Sequence, residues 1–198
     1  MYAQESIALG HRRLSIIDLS ARGRQPMIDS DLGLALVFNG CIYNYRQLRA
    51  QLEAAGYRFF STADSEVVLK AFHRWGGADC VRHFAGMFAF AIVDTDSGVV
   101  TLARDRLGIK PLYLAETPGR LRFASTLPAL LRGGGIDTDL DRVALHHYLS
   151  FHSVVPAPRT IFRGVRKLPA ATVRVIRPDG RSSDTGYWQP VFGPDPDR

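Results

Sequence analysis

This sequence lacks the features that would place it in a membrane, in an oxidising compartment or on nucleic acid. No apolar run approaches the roughly 18 residues of a membrane-crossing helix, and no signal-peptide pattern opens the chain. Cysteine is scarce: Cys41 and Cys80 make no disulfide framework, and no metal-ligand spacing surrounds them. Free thiols suit a reducing compartment, so the expected location is the cytoplasm. The 25 Lys and Arg outnumber 19 Asp and Glu, giving a net charge of +6. Those cations are nevertheless scattered (Arg12, Arg13, Arg46, Arg74, Arg104, Lys110, Arg166, Lys167) and never gather into a tract. Without zinc-finger spacing or an RNA-recognition signature, no nucleic-acid partner is expected. A solvated basic face, or one turned towards a neighbouring domain, accounts for the charge equally well. Internal repeats and low-complexity segments are absent too.

What is present is ordinary globular composition: 198 residues, 46% hydrophobic and 22% charged, enough for one domain with a proper core. Apolar runs over Ile7 to Leu14 and Leu34 to Phe38 read as buried strands, with a Gly/Pro/Asp loop from Arg22 to Gly33 between them. Helices are expected over Asn44 to Ala55, with Asn44 as cap, over Asp64 to Trp75, and over Asp79 to Phe84. The pattern then changes to period two, giving strands over Met87 to Thr95, Val99 to Arg104, Leu112 to Glu116 and Leu121 to Ser125. Leu127 to Leu131 and Leu140 to Phe151 read as helical, and further strands are expected over Thr172 to Arg177 and ending near Tyr187-Trp188. Gly193-Pro-Asp-Pro-Asp has linker composition. Helices interrupting meandering antiparallel strands predict an α+β fold of packed sheets with helices outside.

The most informative stretch is Leu36-Val-Phe-Asn39-Gly40-Cys41-Ile-Tyr43-Asn44-Tyr45, an apolar strand that should stop on Asn-Gly. An Asn39 carboxamide beside an unobstructed Gly40 N–H supplies the parts of an oxyanion hole, although Asn-Gly is equally a hairpin turn signal. His11-Arg12-Arg13 places guanidinium groups suited to gripping a carboxylate at a strand end. Asp64 stands at a helix start, where an N-cap is its default role. Arg104-Asp105-Arg106 reads mainly as a structural ion-pair corner. Taken together, a carboxylate clamp, an oxyanion pair and an amine-binding Asp would hold a free amino acid while its side-chain amide is attacked.

In that order the set resembles the glutaminase domain of class II glutamine amidotransferases of the asparagine synthetase family. The resemblance rests on Ala8 to Ser20, Gln25-Pro26, Phe38 to Asn44, Asp64 to Val68, Gly86 to Ala91 and Arg104 to Tyr113. It implies an N-terminal-nucleophile hydrolase-like sandwich of mostly antiparallel sheets with outer helices, here lacking its N-terminal strand. Residues 1–165 would be a partial glutaminase domain, and 166–198 a run-up towards a missing ATP-dependent synthetase domain. Arg13 would bind the glutamine α-carboxylate with backbone groups of Ile16 and Ile17. Asp64 would hold the α-ammonium, Asn39 and Gly40 would form the oxyanion hole, and Cys41 would border the bound glutamine. The family's nucleophile is an N-terminal cysteine whose own amine serves as base. Here Met1 is followed by Tyr2, and Cys41 has no His or amine in its motif, so the fragment is expected to be inactive alone. Cys80 is expected in the core.

Cys41, the Tyr113 to Leu131 stretch, His146-His147-Tyr148 and the Phe151 to Pro158 segment are similar to the N-acetylglutaminylglutamine amidotransferase branch. That implies amidation of an acetylated dipeptide to a compatible solute, with asparagine synthesis and a non-catalytic glutamine-binding module as alternatives. No cofactor is expected within these residues; ATP and magnesium are implied for the missing domain, whose Ser-Gly-Gly-x-Asp-Ser loop does not occur here. Expected partners are glutamine and that C-terminal synthetase domain, with no membrane, and a homodimer is compatible with the family.

Overall fold

The computed structural model describes residues 1–4 and 6–193. The chain opens with a hairpin, β1 (Tyr2–Gln4) and β2 (Ile7–Leu9), then continues into β3 (Met27–Asp29) and β4 (Leu34–Ile42). Helices α1 (Tyr45–Ala54), α2 (Asp64–Trp75) and the single turn α3 (Gly77–Cys80) follow. Next come β5 (Gly86–Asp94), β6 (Val100–Arg104), β7 (Tyr113–Thr117), β8 (Arg120–Ala124), α4 (Leu127–Leu131) and α5 (Arg142–Ser150). The last elements are β9 (Arg166–Lys167), β10 (Thr172–Ile176) and β11 (Ser182–Gly186).

Every strand pair is antiparallel. The main sheet has the order β11-β10-β6-β5-β4-β3, and a second sheet the order β8-β7-β9. Period-two alternation sorts the apolar side chains onto two faces. Leu36, Phe38, Phe88, Phe90 and Ile92 meet Leu48 and Leu52 of α1 and Val67, Val68 and Ala71 of α2. Ala35, Val37, Ala89, Ala91 and Val93 meet Leu112, Leu114 and Leu168 beside the second sheet, with Leu9 of the hairpin. The far side of that sheet packs Ala115 against Leu130 of α4 and Val165. Helices, sheet, sheet, helix is therefore the layer order, the α+β sandwich expected from the sequence.

The structure departs from the sequence expectation in particular places. The strand from Ile7 ends at Leu9; residues 10–15 run without regular structure and Leu14 is 83% exposed. β4 does not stop at Asn39-Gly40 but pairs with β5 as far as Ile42 opposite Gly86. Glycine makes this close pairing feasible. A Cβ on Gly40 would lie 2.3 Å from the Met87 carbonyl oxygen, and one on Gly86 2.3 Å from that of Cys41. Within the expected Arg22–Gly33 loop, β3 forms at the sheet edge. Asn44 caps α1 by position only, because its carboxamide instead donates to the His83 carbonyl (2.9 Å) and accepts from Ala85 N–H (3.0 Å). The third helix breaks into α3 and a 3-10 turn over Val81–His83. Residues 166–186, set apart as a run-up, are built into the sandwich: β9 pairs with β7 and β10 with β6. Tyr187 is buried and donates to the Arg104 carbonyl at 2.9 Å. The linker-like residues 194–197 lie outside the described residues.

Candidate functional site

Regular pairing gives out on both sides of the β4–β5 ribbon, three residue pairs earlier on the β3 side than on the β6 side. On one side β3 accompanies β4 only to Leu36; on the other β6 accompanies β5 only as far as Ala89, opposite Arg104. Beyond those points the ribbon's outer backbone groups are taken mostly by side chains. Phe38 N–H donates to Gln25 Oε1 at 2.6 Å, and Ile42 N–H to Asp64 Oδ2 at 3.1 Å. Across the ribbon, Phe88 N–H donates to Asp105 Oδ2 at 3.1 Å and its carbonyl accepts Asp105 N–H at 2.8 Å. Because Phe88 spends both backbone groups on Asp105, the Gly40–Phe88 pair is a non-hydrogen-bonded one. The Gly40 N–H therefore points to the opposite, open edge, between the clasped N–H groups of Phe38 and Ile42. Asn39 and Cys41 share the face that carries Ala35 and Val37.

Arg104-Asp105 is not an ion-pair corner. Arg104 donates to the carbonyls of Lys110 (2.7 Å), Leu168 (2.6 Å) and Gly108 (2.5 Å). Asp105, 1% exposed, also accepts N–H bonds from Leu107, Ile109 and Lys110. The pair fixes a tight turn by satisfying backbone groups, which is why both side chains are tolerated at such depth.

Arg13 lies in the irregular segment after β2. Its guanidinium rests against Gly23, where an added Cβ would come within 2.9 Å of a guanidinium nitrogen, and Nη1 donates to Ser15 Oγ at 2.9 Å. Arg12 is exposed, so the two arginines do not form one clamp. Asp18 anchors the segment by accepting N–H bonds from Ser20 and Thr62, both at 2.8 Å; the Ser20 side chain first, then these N–H groups, hold its carboxyl well below the usual carboxylate range. Thr62 immediately precedes α2, so the Arg13 segment and the Asp64 helix start are tied together. Asp64 is the first residue of α2 rather than its cap, which is Ala63. Burial pushes its carboxyl up, opposed by N–H bonds and by the Arg13 charge. The expected carboxylate clamp and the expected ammonium holder thus lie within electrostatic range of each other. Ile17 is half-buried on the same segment, while Ile16 is 72% exposed.

The two thiols are differently placed. Cys80 is fully buried and donates to the Gly77 carbonyl, in the core as expected. Cys41 is half-buried at the site; burial and the Asp64 charge push its thiol up, with Lys110 opposing. Two groups escaped the sequence reading as contributors here. Lys110 was visible only among the scattered cations and inside the Arg104–Tyr113 match, and His11 carries a buried Nδ1 with no partner among the described residues. The His11 ring is held by the Phe38 backbone, and burial keeps it below the ordinary histidine value.

A family model described as a glutamine amidotransferase domain matches residues 1–188. Glutamine-hydrolysing asparagine synthetase 1 of Bacillus subtilis is 38% identical over 193 residues, which is 98% of this chain and 30% of that protein. Glutamine-hydrolysing asparagine synthetase 3 of the same organism is 32% identical over 190 residues, or 95% of this chain and 30% of that protein. The chain thus spans about 30% of the length of these relatives. Among solved structures, glutamine phosphoribosylpyrophosphate amidotransferase from B. subtilis superposes with a TM-score of 0.62 at 19% identity, covering 91% of this chain and 35% of that one. At that identity the superposition speaks for a shared fold.

Proposed function

The chain belongs to the glutamine amidotransferase domain family, and from that premise we propose that it is the glutamine-binding, glutaminase-type part of an asparagine synthetase-like amidotransferase. This reading is supported by the outward Gly40 N–H, two residues from the Ile42 N–H that Asp64 binds, together with the Arg13 charge that reaches the buried Asp64. Arg13 makes no salt bridge among the described residues and donates to Ser15 Oγ, so its charge can serve a substrate α-carboxylate, beside backbone groups of Ile16 and Ile17. Asp64 uses Oδ2 on Ile42 N–H and offers its remaining lone pairs to an α-ammonium. The amide carbonyl of a glutamine held between them reaches the Asn39 carboxamide and the Gly40 N–H, which stabilise charge on that oxygen as a nucleophile adds.

Neither thiol in this sequence is equipped to be that nucleophile. Cys80 is sealed in the core, and Cys41 is held in its protonated form by burial and by Asp64. A polypeptide of this sequence therefore binds glutamine without hydrolysing it. In the proposed larger enzyme, ammonia released here is trapped on an activated acyl group in a C-terminal synthetase domain, in the cytoplasm, and a homodimer is compatible with that arrangement. ATP and magnesium would serve that second step. Among the described residues no cluster of three or more His, Cys, Asp or Glu could hold a metal ion. For the acceptor we favour an acetylated glutamine dipeptide, giving a neutral osmoprotectant, on the strength of Cys41 and the Tyr113–Leu131 sequence. The 38% identity to an asparagine synthetase supports aspartate as the second reading.

Calorimetry with glutamine and an ammonia-release assay test the proposal together. Binding should be measurable and should weaken by about 30-fold in Asp64→Asn, the worth of a charge-assisted bond. The amide oxygen of that variant still accepts the Ile42 N–H, so the fold is kept. Absence of binding in the unaltered protein would sink the reading. Ammonia release that vanishes in Cys41→Ala would instead make Cys41 a nucleophile.

A further inference from the structure

Gln25 is nine-tenths buried and sits just before β3, yet its side chain does not serve β3. It crosses to β4, where Oε1 accepts the Phe38 N–H at 2.6 Å, the shortest of the side-chain contacts along this edge. The position is one strand-repeat beyond Leu36, the last β4 residue that β3 covers. Had β3 continued, it would have run along the open edge and covered the Gly40 N–H as well. A single side-chain acceptor stops the pairing one residue pair short. It satisfies Phe38 and leaves the next outward N–H, that of Gly40, uncovered. On the far side of Gly40, Asp64 does the same for Ile42.

We propose that Gln25 is a positioning residue for the oxyanion donors: by clasping Phe38 N–H in place of a neighbouring strand, it fixes the tilt of the Asn39–Gly40 peptide while keeping the Gly40 N–H open to a substrate carbonyl. This rests on the glutamine-site reading above. It separates two parts of recognition. Arg13 and Asp64 grip the α-carboxylate and α-ammonium, whereas Gln25, through Phe38, governs the grip on the side-chain amide.

Comparing L-glutamine with L-norvaline isolates the second part, because norvaline keeps the amino acid head and lacks the amide. In the unaltered protein glutamine should bind about tenfold more tightly than norvaline, the worth of one or two hydrogen bonds. Gln25→Met, close in length and a poor acceptor, should bring the ratio to about one while leaving norvaline affinity unchanged. Gln25→Glu, which keeps acceptor oxygens at the same reach, should restore the preference. A purely structural role would move both ligands together and would not be rescued by Glu. Should Gln25→Met lose its cooperative melt, Gln25→Ala carries the same comparison. An unchanged ratio in the folded variant, or equal losses for both ligands, overturns the positioning role alone. Failure of the unaltered protein to bind either amino acid overturns the site reading, and the positioning role falls with it.

Discussion

Replacing Gly40 by alanine tests the geometry of the ribbon independently of any ligand. The new Cβ would sit 2.3 Å from the Met87 carbonyl oxygen and 2.8 Å from Phe88 Cα. Both are backbone atoms of the adjacent strand, so no side chain can rotate away. Relief requires β4 and β5 to part by about an ångström, since carbon atoms pack at roughly 3.5 Å or more. The neighbouring Asn39–Ala89 and Cys41–Met87 pairs are the hydrogen-bonded ones, and they lengthen with that movement. Overpacking costs about 1–3 kcal/mol, and each weakened ladder bond adds a fraction of the roughly 1 kcal/mol that such a bond contributes. The alanine recovers about 0.5 kcal/mol by stiffening the unfolded chain. The expected net loss is about 3 kcal/mol, or roughly 6–12 °C in Tm for a domain of this size. Urea unfolding followed by fluorescence and circular dichroism measures it, with coincident transitions checking two-state behaviour. Gly10→Ala is the control, because nothing lies within 4 Å of a Cβ there; it should stay within about 0.5 kcal/mol of the parent. A Gly40→Ala loss no larger than that of the control would refute the close approach of β4 and β5.

Three further outcomes follow from buried charge. Lys70 lies 2.8 Å from Asp29 and 3.4 Å from Glu66, all three buried. Lys70→Met leaves two carboxylates without their cation and should cost about 3–5 kcal/mol in urea unfolding, and a loss under about 1 kcal/mol would contradict the buried triad. Asp105→Asn replaces an oxygen that accepts from both Phe88 and Lys110 N–H; a destabilisation of about 2–4 kcal/mol is expected by thermal melting. Cys41 should alkylate slowly near neutrality, its rate still rising past pH 9.0, because a raised thiol pKa delays thiolate formation. Asp64→Asn removes the repelling charge and should shift that profile to lower pH. A profile unmoved by the substitution would place Asp64 away from Cys41.

Elements whose cause is local were legible in the sequence. α2 spans Asp64–Trp75 as read, because Val68, Leu69, Phe72 and Trp75 recur at helical spacing and Gly76-Gly77 stops the run. α4 likewise matches Leu127–Leu131, with Thr126 as its cap. What could not be read was set by distant partners. Ile7 to Leu14 has strand composition, but β2 ends at Leu9 and Arg13 comes to rest against the distant Gly23. Continuation of β4 through Asn39-Gly40 depends on Gly86, more than forty residues later, presenting an equally bare face. Asp64 and Arg13 stood out by type and order, whereas Gln25 was visible only as part of a Gln-Pro match. Its partner is a backbone N–H, which no side-chain pattern announces.

An oxyanion donor poses a problem that this sheet solves by subtraction. A backbone N–H inside a sheet is ordinarily paired, and one left buried without a partner costs about 1–3 kcal/mol. The cost is contained when only one such group is left open. Here β3 stops at Leu36 and β6 at the Ala89–Arg104 pair, which would expose several N–H groups along the rest of the ribbon. Gln25, Asp64 and Asp105 each take one of them, at Phe38, Ile42 and Phe88. All three offer a side-chain oxygen acceptor, and none brings a strand that would cover the remaining group. On the proposed reading the substrate carbonyl supplies the missing acceptor at Gly40. Affinity for the amide and the local stability of this edge are then the same interaction, seen with and without ligand.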